Sequence, residues 1–160
     1  MRTFFTIFTV VVHLLLADEI TKELAVRSLQ GQAAVSVIPG FFDLAYVENR
    51  GCAWGLFQGH VWPLAVFGLL ALAALVWKRR AVFGLAEKGW RKACGHVAEV
   101  LLYAGILGNL IDRVYRGFVI DFLDFHWGAS HFPCFNVADS YITVAAALLI
   151  ATSLFTRKSA

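Results

Sequence analysis

Two carboxylates stand out in this chain: Asp121, within GFVIDFLDF, and Asp139, within FNVADSYIT. Both lie among apolar residues, where an ionised acid is costly unless it is paired, near an interface or functional. Two such acids held close together cannot both ionise, so the pair shares one proton. One member can then take a proton from water while the other donates to a carbonyl oxygen. Asp121 and Asp124 are three residues apart in a strand-like run, so they face opposite sides. One suits solvent and the other suits the interior.

Further polar residues recur at helical spacing. In GILGNLIDRVYRG, Gly105, Gly108, Asn109, Asp112, Arg113 and Arg116 form one stripe. Its glycines permit close helix approach. The stripe reads either as part of a site or as a packing seam with an interfacial Asp–Arg pair. Asn136, Asp139, Ser140 and Thr143 share a face, with Asn136 alone readable as an N-cap. Asp18 and Lys22, four apart in the favourable acid-then-base order, read as an ion pair. The stretch from Asn49 through Gly51 and Cys52 to Gly55 is a polar, glycine-bearing turn. It suits either the rim of a site or a plain membrane-edge turn.

Other residues carry weaker signals. His13 reads as packed or helix-paired, and His96 with Glu99 as a local pair. His126 and His131 near Asp121 and Asp124 show no recognised metal-ligand spacing, so no metal and no cofactor are expected. Cys52, Cys94 and Cys134 are odd in number and include no CxxC, which disfavours a disulfide framework or a thiol redox centre. Pairing of Cys52 with Cys134 stays open as a lesser alternative.

The elements that must position these residues follow from composition. The chain has 160 residues, 59% hydrophobic and 16% charged, with mean hydropathy +0.69. A globule of that size has too little interior for so much apolar surface, so a bilayer must supply the second apolar solvent. The expected fold class is an all-α integral membrane protein in a single domain. It has four transmembrane helices, roughly 4–24, 61–77, 93–112 and 137–156. The segments 25–60 and 113–136 are expected outside, with a small β-rich part at the membrane surface. Val35–Val47 around Pro39-Gly40, and Tyr115–Phe125 after its Gly117, read as its strands. The loop 78–92 holds Lys78, Arg79, Arg80, Lys88, Arg91 and Lys92, and the termini add Arg2, Arg157 and Lys158. This bias puts the loop and both termini in the cytoplasm and the acidic segments outside. The net charge of +3 forms no stripe for nucleic acid.

Taken together, five blocks resemble the bacterial lipoprotein signal peptidases, the signal peptidase II family. They are Asp18-x-x-Thr21-Lys22, Asn49-x-Gly51-x-Ala53-Trp54-Gly55, Gly105-x-x-Gly108-Asn109-x-x-Asp112-Arg113, Gly117-x-Val119-x-Asp121-Phe122 and Phe135-Asn136-x-Ala138-Asp139. Trp54 stands where the family more usually has another aromatic. The resemblance implies a bacterial inner-membrane aspartic endopeptidase with its active site at the outer face. It would cut prolipoproteins just before a diacylglyceryl-modified cysteine. Asp121 and Asp139 would be the catalytic pair. Asp18, Lys22, Asn49, Gly51, Gly108, Asn109, Asp112, Arg113 and Asn136 would be supporting or substrate-binding positions. The implied partners are prolipoproteins, membrane lipids and cyclic-peptide inhibitors of the globomycin type. A small transporter or channel-type protein, using the same Asp and Arg residues as an ion pathway, is the alternative from another class.

Overall fold

The computed structural model describes residues 2–52, 56–85 and 88–155. Ala53, Trp54, Gly55, Arg157 and Lys158, which entered the motif and charge arguments, lie outside them. The elements run α1 (Arg2–Leu29), β1 (Val35–Ile38), β2 (Phe42–Asn49), α2 (Val61–Trp77), α3 (Arg79–Val82), α4 (Trp90–Tyr115), β3 (Val119–Trp127), β4 (Ser130–His131) and α5 (Val137–Leu154).

Among the described residues, three helices are long and apolar enough to cross a membrane: Phe4–Leu29 of α1, Trp90–Tyr115 and Val137–Leu154. The fourth expected span, α2, is more apolar still but has 17 residues. At 1.5 Å per residue that is about 25 Å, slightly less than a hydrocarbon core of about 30 Å. The outward faces of these helices remain apolar. Phe67 is 70% exposed and Leu70 62%, as expected of a surface that meets lipid instead of water.

α4 is the central post, against which α1, α2 and α5 each pack. Small residues make the approach possible. A Cβ on Gly105 would lie 2.6 Å from the Ala138 carbonyl oxygen, and one on Gly108 would lie 2.4 Å from Asp18 Oδ2. The glycine stripe is therefore both a packing seam and the wall of a polar cluster.

The expected β-rich part is a four-stranded antiparallel sheet in the order β1-β2-β3-β4. Pro39-Gly40 makes the first turn, and Gly40 takes φ +76°, which a side chain would strain. One boundary differs from expectation. Tyr115 does not open a strand, because it is the last residue of α4. The helix continues until Gly117, whose φ of +76° turns the chain into β3 at Val119. The short first apolar run suggests a helix that continues through Asp18–Leu29, and α1 does run to Leu29, where Ala25 and Leu29 pack on Ile120 and Phe122 of the sheet. Tertiary burial against β3 holds that last turn in helical form.

Candidate active site

Sheet pairing brings Asp121 to the bundle. β2 lies antiparallel to β3 with Asn49 opposite Val119 and Val47 opposite Asp121. Asp121 is 1% exposed, and its two oxygens accept from Asn49 Nδ2 at 2.9 Å and Asn136 Nδ2 at 2.7 Å. Asp124, on the other face as the strand period requires, accepts from His131 Nδ1 at 2.9 Å.

Asp139 comes from the first turn of α5. Asn136 is the N-cap: its Oδ1 accepts from the Asp139 amide at 2.9 Å, and its own amide donates to Asp139 Oδ2 at 3.2 Å. This is a reciprocal capping box. The Asn136 amide group is at the same time the donor to Asp121, to the Ile120 carbonyl and to Asn109 Oδ1. One buried side chain thus fixes both aspartates. Asn109 completes the link by donating to Asp139 Oδ1 at 2.7 Å.

A buried ion cluster stands behind them. Lys22, Asp18 and Asp112 are each 0% exposed. Lys22 Nζ lies 2.8 Å from Asp18 Oδ2, 3.0 Å from Asp112 Oδ2 and 3.3 Å from Asn109 Oδ1. Asp18 Oδ1 accepts from the Ala138 amide at 2.8 Å, at the N-terminal end of α5 where negative charge is favoured. Asp112 also accepts from Arg116 Nε at 2.9 Å and from the Ile120 amide at 3.2 Å. Asp18–Lys22 is thus an ion pair, as its spacing suggested, but within a larger cluster joining α1, α4, α5 and β3. The Asp–Arg pair of the seam is Asp112 with Arg116. Arg113 turns elsewhere, donating to the carbonyls of Asn109 and Gly51 at 3.0 and 3.1 Å.

Gly51 is held from both sides, its amide donating to Asn49 Oδ1 at 2.9 Å. Its Cβ would meet the Leu56 carbonyl oxygen at 2.4 Å, so this turn needs glycine. Of the residues expected at the site, Asn49, Asn109, Arg113, Asp121 and Asp139 line a common cavity of about 470 Å³. Gly51, Gly108, Asp18, Lys22, Asp112 and Asn136 shape it from behind.

Burial, then the nearby Asp139, pushes the Asp121 carboxyl up to about 7, against the lowering effect of its two amide donors. It therefore holds a proton near neutrality. Cys52 and Cys134 also line the cavity, a placement no spacing rule signals, and no disulfide joins them. Burial and the neighbouring Asp121 and Asp124 push the Cys134 thiol up to about 12, which keeps it from serving as a thiolate nucleophile. Phe132, Pro133 and Val144 give the cavity an apolar side that sequence reasoning missed. Only the folding of the 128–136 loop against α5 creates it. Among the remaining histidines, His13 bonds to the Thr9 carbonyl within its helix, and His126 pairs with Asp43 at 3.2 Å. Among the described residues no group of three metal-ligating side chains is arranged to hold an ion.

Comparisons with known proteins point to one family. A family model described as signal peptidase (SPase) II matches residues 10–155. The lipoprotein signal peptidase of Shewanella sp. (strain MR-4) is 39% identical over 157 residues, covering 95% of this chain and 88% of its own length. That of Syntrophotalea carbinolica is 39% identical over 150 residues, covering 91% and 89%. A bacterial membrane enzyme solved by the in meso method at 2.3 Å resolution superposes with a TM-score of 0.78 at 31% identity, covering 97% of this chain and 93% of that one.

Proposed function

The chain belongs to the signal peptidase II family, and on that premise we infer that Asp121 and Asp139 are the catalytic pair of this membrane peptidase, which removes signal peptides from prolipoproteins. The single observation that carries the assignment is Asn136. Its side chain donates to Asp121 and caps the helix turn that bears Asp139, so both acids face one cavity. Asp121, buried and protonated, donates to the scissile carbonyl oxygen. Asp139, more open to the cavity, takes a proton from the attacking water. The tetrahedral intermediate collapses as a proton passes to the leaving amine, and the two acids exchange roles. Such proton-transfer groups contribute about 10²–10⁴-fold each.

The remaining residues fit this scheme. Asn49 and Asn109 orient the acids, Arg113 and Gly51 hold the rim where substrate backbone would lie, and the Asp18–Lys22–Asp112 cluster fixes the helices. The substrate is a prolipoprotein whose cysteine carries diacylglyceryl. The apolar side of the cavity, with half-exposed Val144 at its edge, suits acyl chains arriving from the bilayer. We place four spans in the bacterial inner membrane, with α2 a short fourth, both termini cytoplasmic and the cavity at the outer face. The lysine- and arginine-rich loop 78–92 supports this orientation. Lipids, and cyclic peptides of the globomycin type as inhibitors, fit the same site.

Cleavage of a diacylglyceryl-modified prolipoprotein by purified protein in detergent, with a chelator present, tests the reading. Wild type should cleave. Asp121→Asn and Asp139→Asn should each lose at least about 10²-fold while keeping the wild-type thermal transition. Near-wild-type rates in either variant would refute the pair. Ion flux in proteoliposomes without cleavage would favour the transporter alternative.

A further inference from the structure

The end of the bundle away from the aspartates holds a second cavity, of about 320 Å³, between α1 and α2 over α4. Its walls are apolar, with Phe4, Phe8 and Val11 from α1 and Leu72 and Val76 from α2. Phe8 is 59% exposed and Val76 56%, so the groove opens towards the bilayer side of the helices. Its polar end is Arg79, Glu99 and Tyr103. The Glu99 carboxylate is fully buried, gripped by the Arg79 guanidinium through two hydrogen bonds and approached by His96 at 3.4 Å. That pair satisfies itself. Tyr103 does not: its hydroxyl is buried near Glu99 without hydrogen-bond geometry to it, and it meets no partner among the described residues.

A buried donor without an acceptor is costly, so the hydroxyl calls for an oxygen from outside the chain. Tyr103 lies four residues beyond Glu99, about 6 Å further along the helix and deeper in the bundle. Arg79, at the polar end of the groove, is flanked in sequence by the exposed Lys78 and Arg80, and Lys78 Nζ sits 5.5 Å from the Trp77 ring. Cations at the surface, a hydroxyl donor about one turn below and an apolar channel beneath match the layout of a phospholipid: phosphate, ester carbonyl, acyl chain. We propose that this groove binds one anionic phospholipid. An acyl chain lies between α1 and α2, an ester oxygen accepts from Tyr103, and the phosphate lies at Lys78 and Arg80. A peptide or a soluble anion would leave either the apolar walls or the cations unmatched.

Native mass spectrometry of the purified protein, delipidated in detergent and titrated with dioleoyl phosphatidylglycerol or dioleoyl phosphatidylcholine, tests the site. Wild type should retain one phosphatidylglycerol per chain, about 30-fold more tightly than phosphatidylcholine for two interfacial cations. The double variant Lys78→Ala/Arg80→Ala should bring the two lipids to parity. Val76→Trp, which fills the groove, should lose retention of both. Tyr103→Phe should weaken both while preserving the headgroup preference. All variants should still cleave prolipoprotein, which reports that they are folded and keeps this test separate from the peptidase assignment. Equal retention of the two lipids by wild type, unsaturable uptake, or Val76→Trp retaining phosphatidylglycerol as wild type does would overturn the proposal.

Discussion

At the scale of single residues, the acid pair makes pH the sharpest probe. Asp121 holds its proton up to about pH 7 because it is buried beside Asp139. The pair therefore passes from one shared proton to none as pH rises through that value, and kcat/KM should fall on an alkaline limb centred near 7 that belongs to the pair. Asn49 donates to Asp121 and stabilises its charged form, so Asn49→Ala should move this limb to higher pH. A limb that stays put would count against Asn49 acting on Asp121. The sign for stability follows from the same raised value. The native state binds this proton more tightly than the unfolded chain does. Its contribution is full below about pH 4 and is lost as pH rises through about 7. Thermal unfolding of wild type against Asp121→Asn across that range should show the variant insensitive to this loss. Asp121 stood out in its apolar run, while its pairing with Asp139 came from the resemblance. By spacing alone Asn136 was legible only as a cap, and the resemblance added it as a supporting position, because spacing cannot reveal that the same amide reaches across to a strand 15 residues upstream.

At the scale of elements, the seam of α4 sets what can be substituted. Gly108→Ala would drive a methyl into Asp18 and Ala138, and Gly105→Ala into the Ala138 carbonyl. Each should lower stability by about 1–3 kcal/mol and displace the turn that carries Asp139. Gly68→Ala on α2, where the nearest atom is 3.9 Å away, should be tolerated. Melting curves and cleavage rates of the three variants check this, and a neutral Gly108→Ala would contradict the seam. Helical periodicity made these glycines visible as one stripe, and Pro39-Gly40 with alternating β-branched residues made the hairpin visible. The continuation of α1 to Leu29 was visible in its short first apolar run, but the end of α4 was not: it lies at the positive-φ Gly117, not at the apolar boundary near residue 112. The sheet register, which delivers Asn49 to Asp121, depends on a bulge between Leu44 and Val47 that no local signal announces.

At the scale of the molecule, one lysine ties the fold together. Lys22→Met would leave Asp18 and Asp112 buried without their common cation, a loss of about 3–5 kcal/mol. Arg27→Ala breaks only the exposed pair with Glu23 and should cost less than about 1 kcal/mol. A chemical unfolding comparison in detergent checks the contrast, and similar losses for the two would refute the cluster's role. The bond from Asp18 to the Ala138 amide spans 120 positions of sequence and clasps the first helix to the last. A ribosome making about 5–20 residues per second delivers α5 several seconds after α1 has left it. Through that interval Asp18 lacks its clasp, and Asp121 waits for Asp139 to arrive. The cavity that both aspartates line thus forms only with the final helix.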